Sequence, residues 1–232
     1  MDDQPAKSEK PHYLGHRERL RERFRNGGTE ALPDYELLEL VLFLAIPRGD
    51  VKPLAKRLLA RFGTLSALFA AEPRELAAVD GVGDATIHAL KLVQAAGIRL
   101  AREAVMSRPV IGNWRQLLAY CRASMAESKV EQFRLLFLDR KNALIADEVQ
   151  QRGTVDQTLV YPREVVKRAL ELNASGIIMV HNHPSGDPTP SRADIEMTRE
   201  VRDAAEKLGI AVHDHIIIAR GGHNSFKSMG LL

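Results

Sequence analysis

The hydrophobic pattern of this chain changes once, at Ser107-Arg108-Pro109. Before this point apolar residues recur at three- and four-residue steps, which is the spacing of amphipathic helices. After it, short apolar runs that suit strands alternate with helical segments, a pattern typical of an α/β layer architecture. The sequence therefore predicts an α+β protein in which an all-α N-terminal domain precedes an α/β domain.

Proline and glycine residues mark the ends of the predicted elements. Helical segments are predicted at 14–24, 35–46, 52–62, 65–69, 73–79 and 85–103, and, beyond residue 109, at 114–122, 162–172 and 191–208. Strands are predicted at 130–139, 143–151, 175–180 and 210–219, with a terminal strand or loop around His223 and Ser225. Residues 1–12 show no apolar periodicity and are predicted to be a disordered lead, which leaves domains at 13–107 and 110–232.

Composition limits the class of protein. The 232 residues are 45% hydrophobic, enough for one large or two modest cores. The single cysteine, Cys121, argues against a disulfide framework or a cysteine-based zinc cluster and favours a reducing compartment. The longest apolar run, 40–46, is too short to cross a bilayer, so we expect a cytoplasmic protein with no membrane partner. A net charge of +3 is weak evidence for a polyanionic partner.

The segment 181–194, HNHPSGDPTPSRAD, combines two histidines, a serine and an aspartate around a proline-rich loop. It follows an apolar run that suits a buried strand. Side chains two residues apart on a strand point to the same face, so His181 and His183 can reach one ion. Asp194 would lie in the first turn of the next helix. Two nitrogens and one carboxylate oxygen leave a fourth tetrahedral position for water, as in catalytic zinc sites.

The same segment also has a purely structural interpretation. Ser191-x-x-Asp194 matches a capping box, in which both side chains satisfy free backbone N–H groups at a helix start. A helix cap needs no pair of histidines, however. The combination of H-x-H, a seven-residue spacer and S-x-x-D therefore favours a metal site in which the cap can hold Asp194 in place.

This combination resembles the core of the JAMM/MPN-type metallopeptidase motif, and the variant H-N-H-P-S-G-D-P resembles the RadC family of bacterial proteins. The resemblance covers residues 110–232 and implies a JAMM/MPN-like domain with a mixed sheet flanked by helices. It also implies that His181, His183 and Asp194 bind one zinc ion per chain and that Ser191 supports the transition state. The helical domain resembles the amino-terminal domain of the same family.

The motif further expects a glutamate on an earlier strand as the general base. Glu131 fits, because in the strand VEQFRLLFLD it shares one face with Phe133, Leu135 and Phe137. Partial burial there would raise its pKa toward the range that a general base uses. The alternative is that Glu131 lies at the solvated start of its strand. Glu148 is the reserve candidate, at a position more typical of a strand's surface.

A second histidine pair, His213-Asp214-His215, precedes the apolar run 216–218. RadC-like sequences often have Asp-His at this place. We predict that Asp214 and His215 are either structural or orient a metal ligand from outside, which is a recurring need of such sites.

The segment LAAVDGVGDATIHAL resembles a helix-hairpin-helix, the hairpin of many DNA-repair proteins. Gly81 and Gly83 would let backbone N–H groups at a helix N-terminus approach a phosphate. Acidic and hydroxyl residues follow where a lysine would help to neutralise phosphate, so a hairpin that only packs is an equal alternative. Arg17 and Arg21, one helical turn apart, are a second possible phosphate contact, in a stripe diluted by glutamates.

We therefore expect a zinc-dependent metallohydrolase of peptidase or isopeptidase type, acting on a protein or peptide substrate. Zinc would activate a water to attack an amide-like bond, with Glu131 as the base. The resemblance also implies a connection with DNA repair or recombination and contact with DNA through the helical domain. Two alternatives stay open: a DNA-binding accessory protein with a structural or vestigial zinc site, and a metal-dependent nuclease. The nuclease is weaker, because contiguous H-N-H is not the pattern of the nuclease family so named.

Overall fold

The computed structural model describes residues 15–106, 109–153 and 160–232. The predicted disordered lead lies outside these residues. The chain divides into two compact units, Met1–Gln94 and Ala95–Leu232. The division lies inside one helix, upstream of the change in hydrophobic pattern at residues 107–109. No helix of the described residues is long and apolar enough to span a membrane.

The first unit is helical throughout its described part. Its core is built mainly from leucines on the buried faces of the helices, such as Leu42 and Leu58, which are fully buried. The helices are α1 His16–Gly27, α2 Asp34–Ala45, α3 Lys52–Phe62, α4 Leu65–Ala70, α5 Pro73–Ala77 and α6 Asp84–Met106, the last of which continues into the second unit. The short segment Thr29–Ala31 forms a turn of 3-10 helix.

The described part of the second unit contains a five-stranded mixed sheet with helices on both faces. The strands are β1 Glu131–Leu138, β2 Leu144–Gly153, β3 Gly176–Asn182, β4 Ala211–Ala219 and β5 Gly222–Ser225, and the helices that follow α6 are α7 Trp114–Met125, α8 Pro162–Glu171 and α9 Arg192–Glu206. The sheet order is β2-β1-β3-β4-β5. Strands β3 and β4 are parallel, and the other neighbours are antiparallel. The predicted α+β organisation is therefore confirmed.

Strand β3 lies at the centre of this sheet and is buried along its whole length. Its side chains alternate between two apolar clusters. Ile178 and Val180 pack in the cluster that contains α7, whereas Ile177 and Met179 pack in the cluster that contains α8 and α9. A strand buried on both faces reads as a continuous apolar run. His181 continues the second series and so points to the side of α9.

The strand is longer than the sequence predicts. The predicted strand covers residues 175–180, yet β3 continues to Asn182. His181 pairs with Phe133 of β1, and His181 and Asn182 both pair with residues of β4. The ends of several other elements differ from the prediction by one to three residues, as is usual where helices and strands fray. The first histidine of the motif is therefore part of the sheet itself.

Candidate metal centre

Two imidazoles meet where β3 ends. His181 is the penultimate residue of β3 and is almost fully buried, while His183 follows the end of the strand and is half-buried. Their Nε2 atoms lie 2.9 Å apart. The same-face geometry that the i, i+2 spacing predicts therefore brings both rings to one point.

The third side chain comes from the N-terminus of α9. A capping box forms there: the Ser191 hydroxyl accepts from the Asp194 N–H at 3.1 Å, and Asp194 Oδ2 accepts from the Ser191 N–H at 2.7 Å. The same carboxylate lies with Oδ1 at 3.2 Å from His181 Nε2 and with Oδ2 at 3.6 Å from His183 Nε2. The helix cap thus positions Asp194 toward both histidines.

The three side chains have the spacing of metal ligands. Tetrahedral zinc with bonds of about 2.0–2.1 Å separates its ligand atoms by roughly 3.3–3.4 Å, and the separations here are 2.9, 3.2 and 3.6 Å. His181, His183 and Asp194 are also the only such group of three or more His, Cys, Asp or Glu residues within the described parts of the chain. The residues present fit a zinc ion with three protein ligands and one open position.

The loop after β3 orients the ring of His183. Nδ1 lies 2.8 Å from the backbone carbonyl of Asp187, and a carbonyl can only accept, so Nδ1 carries the hydrogen and Nε2 turns its lone pair to the site. In the absence of metal, the Asp194 carboxylate accepts a hydrogen bond from protonated His183 and so raises the pKa of His183. A lone pair that faces a carboxylate requires a cation or a proton between them.

The protonation state of Asp194 also suits a ligand. Burial alone would raise the pKa of this carboxyl, but its interactions with the His181 and His183 imidazoles and with Ser191 outweigh burial and hold the pKa far below its usual range. Asp194 is therefore a carboxylate, which is the form that binds metals.

Glu131 lies beside these residues. It is the first residue of β1, is half-buried, and shares a face with Phe133, which pairs with His181. Glu131 lies two residues before the last β1–β3 pair, Phe133 with His181, and its negative charge contributes to the raised pKa of His183. The structure thus brings the predicted base to the predicted ligands.

The reserve candidate lies elsewhere. Glu148 of β2 binds the guanidinium of Arg168 on α8 through three hydrogen bonds of 2.6 to 3.1 Å. This ion pair lowers the pKa of Glu148. Its carboxylate is engaged with α8, in agreement with the surface position that the sequence predicts.

The hydroxyl of Ser191 serves the helix cap in this structure. Its oxygen accepts from Asp194 N–H, and its single hydrogen goes to Asp194 Oδ2 at 2.6 Å. Support of a transition state by Ser191 would therefore require the hydroxyl to turn away from Asp194.

The residues of the second histidine pair separate. His215 is fully buried, and its Nε2 lies 2.8 Å from Nδ1 of His181. Asp214 instead accepts hydrogen bonds from the Ser225 hydroxyl at 2.5 Å and from the Lys227 N–H at 3.0 Å. The structure therefore places His215 against a predicted ligand, and it places Asp214 at the junction of β4 and β5.

Two buried polar residues escaped the sequence analysis. Asn182, between the two histidines, is fully buried, and its Oδ1 accepts from the Gln132 N–H at 2.9 Å. Thr198 of α9 is also buried and lies 2.6 Å from Nδ1 of His215. The position of Thr198, one helical turn after Asp194, is the only sequence signal that links it to the site.

In the helical unit, the two hairpin glycines differ. Gly81 has a φ of +86°, which side chains with a Cβ rarely adopt. The carbonyl of the preceding Asp80 accepts from Arg57 at 3.2 Å. Gly83 has ordinary backbone geometry, and a Cβ added there would meet nothing within 4 Å. Helix α6 begins at the next residue.

The two arginines of α1 also differ. Arg17 donates to the carbonyls of Ile46 at 2.7 Å and Gly49 at 3.0 Å and lies over the ring of Phe43. Its guanidinium is thus engaged within its own unit. Arg21 is half exposed, 3.9 Å from Glu18. Of the two, Arg21 is the better placed to meet a phosphate.

The fold and the cluster together define a JAB/MPN-type domain with a His-His-Asp group at the spacing of metal ligands. A family model described as RadC-like JAB domain matches residues 111–231, and one described as UPF0758 N-terminal matches residues 12–88. The chain belongs to this RadC-like JAB domain family.

Whole-length relatives show the same family. A UPF0758 protein of Rhodobacter capsulatus is 62% identical over 213 residues, which is 92% of this chain and all of the relative. A UPF0758 protein of Ruegeria pomeroyi is 59% identical over 223 residues, which is 96% of this chain and all of the relative. The predicted resemblance to the RadC family is therefore confirmed.

Proposed function

We propose that this protein is a zinc-dependent metallohydrolase that cleaves an amide-type bond in a protein or peptide. The observation that carries the proposal is the convergence of His181 Nε2, His183 Nε2 and a carboxylate oxygen of Asp194 at the spacing of tetrahedral ligands. The negative charge of Glu131 acts on His183. A helix cap alone would explain Asp194, but it would not explain the two converging imidazoles.

The chain's own residues have distinct tasks. His181, His183 and Asp194 hold the ion and leave one side open. When bound, zinc lowers the pKa of a water from 15.7 to about 7 and polarises a carbonyl. Glu131 takes the proton of the attacking water and later delivers it to the leaving amine. The Ser191 hydroxyl, once turned from Asp194, donates to the developing oxyanion.

The test combines metal analysis with a cleavage screen on the full-length protein. Wild type should hold about one zinc per chain, and His181→Ala and Asp194→Ala should lose it. Glu131→Gln should keep zinc but lose hydrolysis of peptide and isopeptide substrates by about 10²–10⁴-fold, the usual contribution of a general base. Glu148→Gln is the matched control and should keep both properties, because Glu148 lies in an ion pair with Arg168.

The other results would separate the alternatives. Full activity in Glu131→Gln would remove this residue from the mechanism. Zinc-dependent cleavage of DNA, but not of peptides, would indicate a nuclease. Salt-sensitive DNA binding that survives loss of the zinc ligands, without any hydrolysis, would indicate an accessory protein.

A further inference from the structure

The buried ligand His181 has an unusual partner for its second ring nitrogen. Metal-ligating histidines generally donate that N–H to a carboxylate, a carbonyl or a water. Here Nδ1 of His181 lies 2.8 Å from Nε2 of another histidine, His215. An imidazole nitrogen can either donate or accept, so this contact alone does not determine which nitrogen of His181 carries the hydrogen.

The direction is set one residue further out, at Thr198. Its Oγ1 lies 2.5 Å from the backbone carbonyl of Asp194, which can only accept, so the hydroxyl hydrogen goes to Asp194. The oxygen of Thr198 must then accept from its other neighbour, Nδ1 of His215, at 2.6 Å. Nδ1 of His215 therefore carries a hydrogen.

His215 can pass this direction on because it is neutral. The ring is fully buried, where a charged imidazolium would be costly, and its two nitrogens face only the Thr198 hydroxyl and the His181 imidazole. The rings of Phe133 and Phe226 pack around it, with centroids 5.8 and 4.5 Å away. A neutral imidazole has a single ring hydrogen, so Nε2 of His215 is a bare acceptor.

The consequence reaches the metal centre. Since Nε2 of His215 accepts, Nδ1 of His181 must donate, and Nε2 of His181 then has a lone pair. That lone pair points to His183 and Asp194. This series of hydrogen bonds begins at the backbone carbonyl of Asp194. It therefore connects Asp194 with His181, two of the three proposed ligands.

We propose that Thr198 is a positioning residue of the metal centre: acting through His215, its hydroxyl fixes His181 in the tautomer that presents Nε2 to the ion. The effect on metal affinity rests on the proposed metal site. The tautomer itself does not, because it is a property of the metal-free protein.

The test compares two variants of the full-length protein, each of which removes a different group of the Thr198 side chain. Thr198→Val removes the hydroxyl and keeps the shape, whereas Thr198→Ser keeps the hydroxyl and removes the methyl group. Long-range ¹H–¹⁵N spectra of histidine-labelled, metal-free protein at mildly alkaline pH report the ring tautomers. Wild type and Thr198→Ser should show His181 and His215 with hydrogen on Nδ1, and Thr198→Val should populate the Nε2–H form of His181.

Zinc affinity is measured in parallel by competition with a chelator. Thr198→Val should bind zinc roughly 10–100-fold more weakly, the usual effect of losing an outer partner of a ligand, and Thr198→Ser should bind much as wild type does. A role in packing alone predicts the reverse order, because valine fills the space better than serine. If Thr198→Val does not fold, the same two measurements are made on Thr198→Ala, which also lacks the hydroxyl and should show the same changes in tautomer and zinc affinity.

Two results have opposite meanings for the proposals. An unchanged tautomer of His181 together with unchanged zinc affinity in Thr198→Val would overturn the role of Thr198. A wild-type protein that binds no zinc, but shows the expected tautomers, would overturn the proposed hydrolase and leave the hydrogen-bond chain established.

Discussion

Asn182 lies between the two histidines in sequence, and its side chain forms hydrogen bonds with the backbone at the start of β1. Its Oδ1 accepts from Gln132 N–H, and its Nδ2 lies 3.3 Å from the carbonyl oxygen of Val130. These two residues flank Glu131. The Asn182 side chain therefore connects the segment that carries the proposed base to the end of β3, beside the proposed ligands, at the point where backbone pairing between β1 and β3 ends.

We expect Asn182→Ala to affect hydrolysis more than metal binding. The substitution leaves the partly buried Gln132 N–H without its acceptor and should lower the free energy of unfolding by about 1–3 kcal/mol. Glu131 would then lose its fixed position, so kcat should fall while zinc content stays near one per chain. Denaturant unfolding, metal analysis and steady-state kinetics measure these effects. Asn113→Ala, which removes an exposed hydrogen bond to Pro109, is the control, and an equal fall in kcat there would contradict the assignment.

Ser191 is expected to combine two tasks that two variants can separate. Alanine at an N-cap costs about 0.5–2 kcal/mol, whereas glycine costs only a few tenths. Ser191→Ala should therefore be clearly less stable than Ser191→Gly, while both should lose hydrolysis by about 10²–10³-fold, the usual effect of removing one oxyanion donor. Thermal unfolding and kinetics decide. If Ser191→Gly has normal activity, the hydroxyl serves only the helix cap.

The proposed ligands could be predicted from the sequence because their signals are local. The i, i+2 spacing of His181 and His183 and the capping box at Asp194 each lie within one element. Thr198 could not be found in this way, since its partner His215 is 17 residues away, and the partner of Asn182, Gln132, is 50 residues away. Single buried polar residues show their role only once the sheet is assembled.

At the scale of elements, the same contrast appears in β3. Its apolar run predicts a buried strand, but the prediction ends at residue 180, because His181 and Asn182 are polar. The neighbouring strands pair with these two residues, which lie beyond the predicted end of the strand. β1 pairs with His181, and β4 pairs with both His181 and Asn182. Boundaries set by partners from distant segments are not encoded in local hydrophobicity.

The hairpin between α5 and α6 gives the next prediction. Gly81→Ala would force a residue with a Cβ into a left-handed conformation and should cost about 1–2 kcal/mol. Gly83→Ala should leave stability nearly unchanged, since space is open there. Urea unfolding measures both variants, and an equal loss of stability would contradict this difference in backbone geometry.

Gly83→Ala is therefore the variant that tests DNA binding without disturbing the fold. If the backbone at this turn approaches a phosphate closely, the added methyl group should weaken binding of duplex DNA, measured by fluorescence anisotropy over a range of salt concentrations. Unchanged affinity and an unchanged salt dependence in Gly83→Ala would favour a hairpin that only packs.

At the scale of the whole molecule, the class of fold was readable, but the order of strands was not. One change in hydrophobic period near Pro109 separates the helical part from the sheet-containing part, so the α+β organisation follows from the sequence alone. The order β2-β1-β3-β4-β5 depends on which strands pair across long connections. That order brings β1 next to β3 and so brings Glu131 to the histidines.

The single tryptophan allows metal binding to be followed in the unit that contains the site. Trp114 begins α7 and packs against the core cluster that includes Ile178 and Val180 of β3. Zinc that binds the folded site should stabilise this unit by RT ln(1 + [L]/Kd), about 2.7 kcal/mol at a free concentration of 100 times Kd. The unfolding midpoint reported by Trp114 fluorescence should therefore rise with zinc.

Two variants decide whether that rise comes from the proposed site. His181→Ala removes a ligand and should abolish the shift. Glu131→Gln keeps all three ligands, so its midpoint should rise with zinc as that of wild type does, even though hydrolysis is lost. A ligand stabilises the folded state only if it binds to that state. Stabilisation by zinc that persists in His181→Ala would therefore show that zinc binds elsewhere on the folded chain.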